Sequence, residues 1–273
     1  MAERLRSSGY SHYCGTSLWR GVGVKWNFAS CWVLIDSLHL TPTPEIIPSI
    51  MQPQADPFIV PLCEEEIELL YQDEHLLLIN KPSGLLTLSG KHPLNKDSVH
   101  FRLVKDFPTA TMIHRLDFGT SGILIVALNK MVNANIGEQF QARTVTKSYT
   151  AILQGDVEAD SGCIDMPIAK DRPNFPLQKI CYETGKPAIS DYQVVERLQD
   201  PVRTRVTFKP VSGRTHQLRI HSRELGHPIL GCDLYATDEA FFMAERLMLH
   251  ATHIEFDHPV TGARVNGFSP CPF

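Results

Sequence analysis

His114-Arg115-Leu116-Asp117-Phe118-Gly119-Thr120-Ser121-Gly122, followed at once by Ile123-Leu124-Ile125-Val126-Ala127-Leu128, is the stretch on which the fold turns. The apolar run reads as a strand, and the segment before it reads as a turn. Gly119 and Gly122 let the backbone approach its neighbours closely, so a carboxylate at Asp117 can project from a sheet edge into a cleft. A structural Asx-type turn with an ion pair to Arg115 explains the same residues. Asp117 alone does not separate the two.

Working outward, two short strands are expected upstream at residues 67–71 and 76–80, joined through Gln72-Asp73-Glu74 and followed by the turn signal Lys81-Pro82-Ser83-Gly84. A helix is expected over residues 99–107, ended by Pro108, and an apolar segment over 111–113. Downstream, residues 130–142 carry apolar positions at helical intervals, and strands are expected at 148–153, 188–197, 204–208, 249–256 and 263–268. Residues 215–225 read as a further helix, capped by Ser212 or Thr215. Alternation of this kind, without repeat or heptad, defines an α+β fold: a mixed, mainly antiparallel sheet with flanking helices around a cleft. Residues 1–60 hold no sustained period and many X-Pro steps, and are expected to form a poorly ordered extension or linker ahead of a catalytic domain over 61–273.

Composition removes several function classes. The longest apolar run, residues 123–128, falls far short of the roughly 20 residues a membrane-spanning helix needs, so no membrane role is expected. The seven cysteines are scattered without a CxxC pair, which fits reduced thiols in the cytoplasm better than a disulfide framework. No HExxH motif, zinc-ligand cluster or glycine-rich phosphate loop is present, so neither metal nor cofactor is expected. Net charge is −4, but between Lys170 and Arg223 eleven Lys/Arg face five Asp/Glu, while residues 56–74 are acidic. A local basic surface able to neutralise phosphate is therefore compatible with the acidic whole.

A second polar constellation is Lys209-Pro210-Val211-Ser212-Gly213-Arg214-Thr215-His216-Gln217-Leu218-Arg219, with Arg223 one helical turn on. An inward Arg219 would orient a carboxylate and keep it ionised; a solvent-facing basic helix reads equally well. Tyr149 supplies an aromatic plane for a base or a plain sheet-surface ring. His114, His216 and His221 are available as proton carriers or as local hydrogen-bond partners.

From about Ile67 to the C-terminus, roughly three quarters of the chain, these motifs together resemble the RluA family of pseudouridine synthases, most closely the branch with no S4 RNA-binding domain. The resemblance rests on the stretch 114–122, on Asn80-Lys81-Pro82-Ser83-Gly84, Lys147-Ser148-Tyr149, Tyr182-Glu183-Thr184-Gly185-Lys186-Pro187-Ala188, and Gly213-Arg214-Thr215-His216-Gln217-Leu218-Arg219-Ile220-His221. It implies Asp117 as the catalytic carboxylate, Tyr149 as the base-stacking aromatic, Arg219 as the ionic partner of Asp117, and Arg115 as the residue that displaces the target nucleotide. Lys209, Arg214 and Arg223 are then expected on RNA phosphates. The implied substrates are a uridine at position 32 of the tRNA anticodon loop and one in a 23S rRNA hairpin, with no obligate protein partner. One departure stands out: Cys232 follows Gly231 where relatives commonly carry an acidic residue, and Asp233 comes one position later. Two other readings use the same residues, a catalytically silent RNA-binding protein and a hydrolase of a nucleotide glycosidic bond. Hydrolysis would ask for two close carboxylates, whereas the constellation here has one carboxylate with Arg and Tyr.

Overall fold

The computed structural model describes residues 59–273, so the extension expected over residues 1–60 lies outside the described residues apart from Ile59 and Val60. The chain enters a sheet through the hairpin β1 (Glu68–Gln72) and β2 (Leu76–Lys81). Asp73 makes the turn, its carboxylate accepting the N–H groups of His75 and Leu76 at 2.7 and 2.8 Å.

Helix α1 (Val99–Leu103) begins at Ser98, whose hydroxyl accepts the Phe101 N–H at 3.1 Å. It is shorter than the expected 99–107, because the chain turns over residues 104–106 before Pro108 biases Phe107 away from helix. A two-residue strand, β3 (Thr111–Met112), then pairs with β4 (Ser121–Ala127). Every residue of β4 is buried. Helix α2 (Lys130–Ala142) starts at Asn129, whose side chain accepts the Val132 N–H at 2.9 Å.

Next come β5 (Thr146–Gln154), β6 (Ser161–Asp165), the short hairpin β7 (Ile168–Lys170) and β8 (Gln178–Ile180), β9 (Ile189–Leu198) and β10 (Arg203–Pro210). Strands β6 to β8 occupy a Pro- and Gly-broken region where no element was expected, because each is too short to show a period. Helix α3 is Gln217–Glu224, not 215–225, and neither Ser212 nor Thr215 caps it. His216 is the capping position, in the left-handed region at φ 56°, and Ser212 instead accepts the Ile189 N–H and bonds Gln217. An unforeseen short helix, α4 (Asp238–Phe242), precedes β11 (Leu249–Asp257) and β12 (Arg264–Phe268).

The main sheet runs β1-β2-β4-β11-β5-β10-β9-β6, with β12 added to β11 and β3 to β4, and β7-β8 form a separate two-stranded sheet. All pairings are antiparallel except β4 with β11, which align in parallel at Ser121 with His250 and Gly122 with Ala251. This junction requires glycine. Gly122 adopts φ +112°, and a Cβ there would lie 2.2 Å from the Ala251 carbonyl oxygen.

Two apolar cores lie along the sheet. One joins β2, β4, α1 and α2 through residues such as Leu77, Leu124, Leu103 and Ile136. The other joins β5, β10 and α3 through Leu153, Phe208 and Ile220. Tyr149 packs against both, so β5 is where the halves meet. Among the described residues no helix is long and apolar enough to cross a membrane.

Candidate active site

The turn leading into β4 carries Asp117 and is held from three directions. Backbone closes it, Thr120 N–H donating to the Asp117 carbonyl at 3.1 Å. Ser83 donates its hydroxyl to the Gly119 carbonyl at 2.7 Å, and the Thr87 hydroxyl donates to the Leu116 carbonyl at 2.8 Å. The third hold is Lys81, fully buried, whose ammonium has three N–H groups for three carbonyls, Pro82 and Leu85 at 2.8 and 2.7 Å and Phe118 at 3.2 Å. Burial pulls the Lys81 pKa down to about 7, and the carbonyl cage opposes that cost.

Across the cleft, α3 presents Arg219, buried to 4% exposure, with its guanidinium 3.8 Å from the Asp117 carboxylate. The Nε–H of Arg219 donates to Cys232 Sγ at 3.3 Å, and a terminal nitrogen pairs with Asp233. Cys232 and Asp233, neighbours in the sequence, thus share the remaining donors of the arginine. The ion pair of Asp117 is with Arg219, while Arg115 stands exposed on the cleft rim.

The cleft is a cavity of about 100 Å³ lined by Arg115, Asp117, Thr120, Lys147, Tyr149, Arg214, His216 and Arg219, with Pro210, Ser212, Gly213, Gln217 and leucines completing the wall. Four cations and one carboxylate make a lining suited to a polyanion. Tyr149 stands on β5, and burial, with the nearby negative charge of Asp117, pushes its phenol well above the usual range. The ring is therefore protonated at neutral pH and offers a face and an O–H, not a phenolate. The Thr120 hydroxyl is buried with no hydrogen-bond partner among the described residues.

Of the residues expected on RNA, Arg115 and Arg214 line the cleft. Lys209 and Arg223 do not. Lys209 is exposed on β10 between Phe208, which enters the core, and Pro210, which faces the cleft, so the period of two turns its side chain away. Arg223 lies a turn beyond Arg219, exposed and paired with Glu224 at 2.5 Å. Lys147 was not expected as a site residue. It lines the cleft because it is two residues from Tyr149 on the same face of β5, a signal the period of a strand would have supplied. Tyr235, which braces His216, carries no local sequence signal, whereas Asp233, which braces Arg219, stands beside the departure at Cys232.

This constellation, a turn carboxylate facing a buried arginine beside a protonated tyrosine in a basic cleft, is that of an enzyme acting on RNA. Residues 75–224 match the RNA pseudouridylate synthase family model, and the chain belongs to that family, in its RluA group. It is an RNA pseudouridine synthase, an isomerase. It is 50% identical over 194 residues to the dual-specificity RNA pseudouridine synthase RluA of Yersinia pestis, covering 71% of this chain and 94% of that protein. The Escherichia coli K12 protein of the same description is 46% identical over 210 residues, covering 77% and 95%. Among solved structures, human RNA pseudouridylate synthase domain containing 1 superposes with a TM-score of 0.66 at 31% identity, covering 78% of this chain and 86% of that one. The α+β fold expected from the sequence is thus the fold of the family.

Proposed function

We propose that the substrates are uridines in compact RNA loops, one in the tRNA anticodon loop and one in a 23S rRNA hairpin, and that Asp117 is the catalytic carboxylate, with Tyr149 and Arg219 completing the machinery. The observation that carries this reading is the approach of the Arg219 guanidinium to within 3.8 Å of Asp117 inside the basic cleft. The two relatives named above, both described as dual-specificity enzymes, support a double substrate set.

In this reading the target nucleotide leaves its stack, which costs a few kcal/mol and least in a loop already strained. Arg115 on the rim fills the opened position, and the Tyr149 ring stacks on the uracil, a contact worth about 1–3 kcal/mol. Arg219, 3.8 Å away, holds Asp117 aimed at the nucleoside. Family resemblance selects a glycal-type route. The C1′–N1 bond breaks with its electron pair going to N1, while Asp117 takes the C2′ proton and a C1′=C2′ double bond forms. The uracil anion turns in the pocket, C5 bonds to C1′, and Asp117 returns its proton to C2′. Loss of the C5 proton and protonation at N1 then leave pseudouridine, with no net loss of atoms.

The test incubates purified protein with a tRNA transcript and a 23S rRNA hairpin, maps pseudouridine chemically and repeats both with Asp117→Ala. Wild type is expected to convert both RNAs, and the variant to bind them without conversion. Conversion that survives Asp117→Ala removes the carboxylate from the mechanism; conversion of neither RNA by the wild type removes the substrate assignment.

A further inference from the structure

His216 is built into the cleft in a way that the roles of Asp117, Tyr149 and Arg219 leave unexplained. It occupies the left-handed region at φ 56°, strained for a residue with a side chain, and strain of this kind persists where the surroundings hold it. Its ring lines the cleft. Its Nδ1 lies 2.8 Å from the Tyr235 hydroxyl oxygen, and that oxygen also receives the Gln178 backbone N–H at 2.8 Å.

Hydrogen-bond accounting decides the tautomer. The Tyr235 oxygen accepts from Gln178, and its own proton has no acceptor among the described residues other than His216 Nδ1, so Nδ1 accepts it. The imidazole proton then sits on Nε2. Desolvation depresses the His216 pKa below its usual range, the opposing pull of Asp117 being smaller, so the ring stays neutral. Tyr235 is itself immobilised, 4% exposed, with the guanidinium carbons of Arg219 and Arg223 at 5.4 and 5.5 Å from its ring centre. The result is a neutral, orientation-locked N–H donor on the cleft wall, and Nε2 has no hydrogen-bond partner among the described residues.

We propose that His216 is a substrate-contacting residue whose Nε2–H donates to a carbonyl oxygen of the flipped uracil, with Tyr235 as the positioning residue that fixes the tautomer. Phosphate oxygens in this cleft are matched by the cations Arg115, Lys147 and Arg214, and a ribose hydroxyl is both donor and acceptor, so a locked neutral donor carries no information about it. Uracil presents two carbonyl acceptors, and the one at C4 is replaced by a donor amine in cytosine. A fixed donor at that position rejects cytosine; a donor free to change tautomer does not. The inference rests on the proposed uridine-loop function and deepens it by naming what reads the base.

The experiment measures kcat/KM on a hairpin carrying uridine, 2-thiouridine or 4-thiouridine at the target, for wild type, His216→Asn, His216→Gln and Tyr235→Phe. Asn tolerates the left-handed backbone and keeps a group at the Nδ1 position, whereas Gln places an amide N–H near Nε2. His216→Asn is expected to lower kcat/KM about 10- to 100-fold. His216→Gln should recover part of that loss, and Tyr235→Phe combined with His216→Asn should lose no more than His216→Asn alone. Sulfur, a weaker acceptor than oxygen, should slow the wild type at one of the two positions and leave His216→Asn unaffected there. Coupling at either carbonyl sustains the proposal. Coupling at neither, additive losses for His216 and Tyr235, or wild-type kinetics in His216→Asn overturns it. With Asp117→Ala inactive on the same RNA, such a result removes His216 while the Asp117 reading stands.

Discussion

The two halves of the sheet are built differently. In β4 all seven residues are buried and in β2 five of six, whereas buried and accessible positions alternate in β10 as far as Phe208 and in β9 as far as Tyr192, beyond which β9 has no buried residue. The first half is a seat: β4 begins at Ser121, four residues after Asp117, and its strand cannot shift without exposing its apolar run. The second half keeps one face toward solvent and, on β5 and beyond β10, brings Lys147 and Arg214 to the cleft. Tyr149 touches both cores, and the cleft opens at that seam. Rigidity for the carboxylate and access for a polyanion are thus supplied by different strands.

Truncation tests the contrast most severely. Leu124→Ala in the buried half should cost about 2–5 kcal/mol through lost burial and a residual cavity, while Val195→Ala, 59% exposed on β9, should stay within about 0.5 kcal/mol, both read by urea unfolding. Equal losses would erase the distinction between the halves.

Across the seam, Arg219→Lys keeps the charge but gives up the fork that reaches Asp117, Cys232 and Asp233 together. A loss of about 1.5–3 kcal/mol in transition-state stabilisation, or roughly 10- to 100-fold in kcat/KM, is expected with RNA affinity little changed. A pure affinity loss would instead mark Arg219 as a phosphate contact.

Acid should weaken the seat. Burial holds the His114 pKa down at about 3, and its Nε2 accepts the Ile125 N–H of β4 at 3.1 Å. His250 is depressed to about 4, again chiefly by burial, and bonds Ser121 at the start of β4 at 2.8 Å. Between the unfolded value near 6.5 and these folded values the unfolded chain binds more protons, so stability falls as pH drops through that window. Urea midpoints from pH 7 to pH 4 should show the decline, and His114→Gln should flatten it. An unchanged slope would assign the acid response elsewhere.

The smallest effect concerns salt. Arg214→Ala should reduce the slope of log affinity against log salt by about 1, and Lys209→Ala, whose side chain faces away from the cleft, by less. Equal changes would extend the RNA footprint over the outer face of β10.

Much of this was legible in order along the chain. The apolar run 123–128, the hairpin around Asp73 and the helix 130–142 declare themselves because each is a local pattern of burial or turn chemistry. The elements β6 to β8 and α4 are five residues or fewer, shorter than a period can register. Helix α3 starts at Gln217 and not at residue 215 because His216 takes a left-handed backbone, its ring bonded to Tyr235, where the sequence pattern would already be helical.

By itself the sequence determined the α+β class, the turn that carries Asp117 and the family-specific motifs around Tyr149 and Arg219. These reside in neighbouring residues, where spacing and residue type carry the signal. Only the tertiary structure decided that Arg219 approaches Asp117, 102 positions away along the chain, to 3.8 Å, that Asp233 and Cys232 share its remaining donors, and that Tyr235 bonds His216. Those relations depend on which strands pair and which helix packs over them. They are distances between remote parts of the chain, and no local pattern encodes a distance.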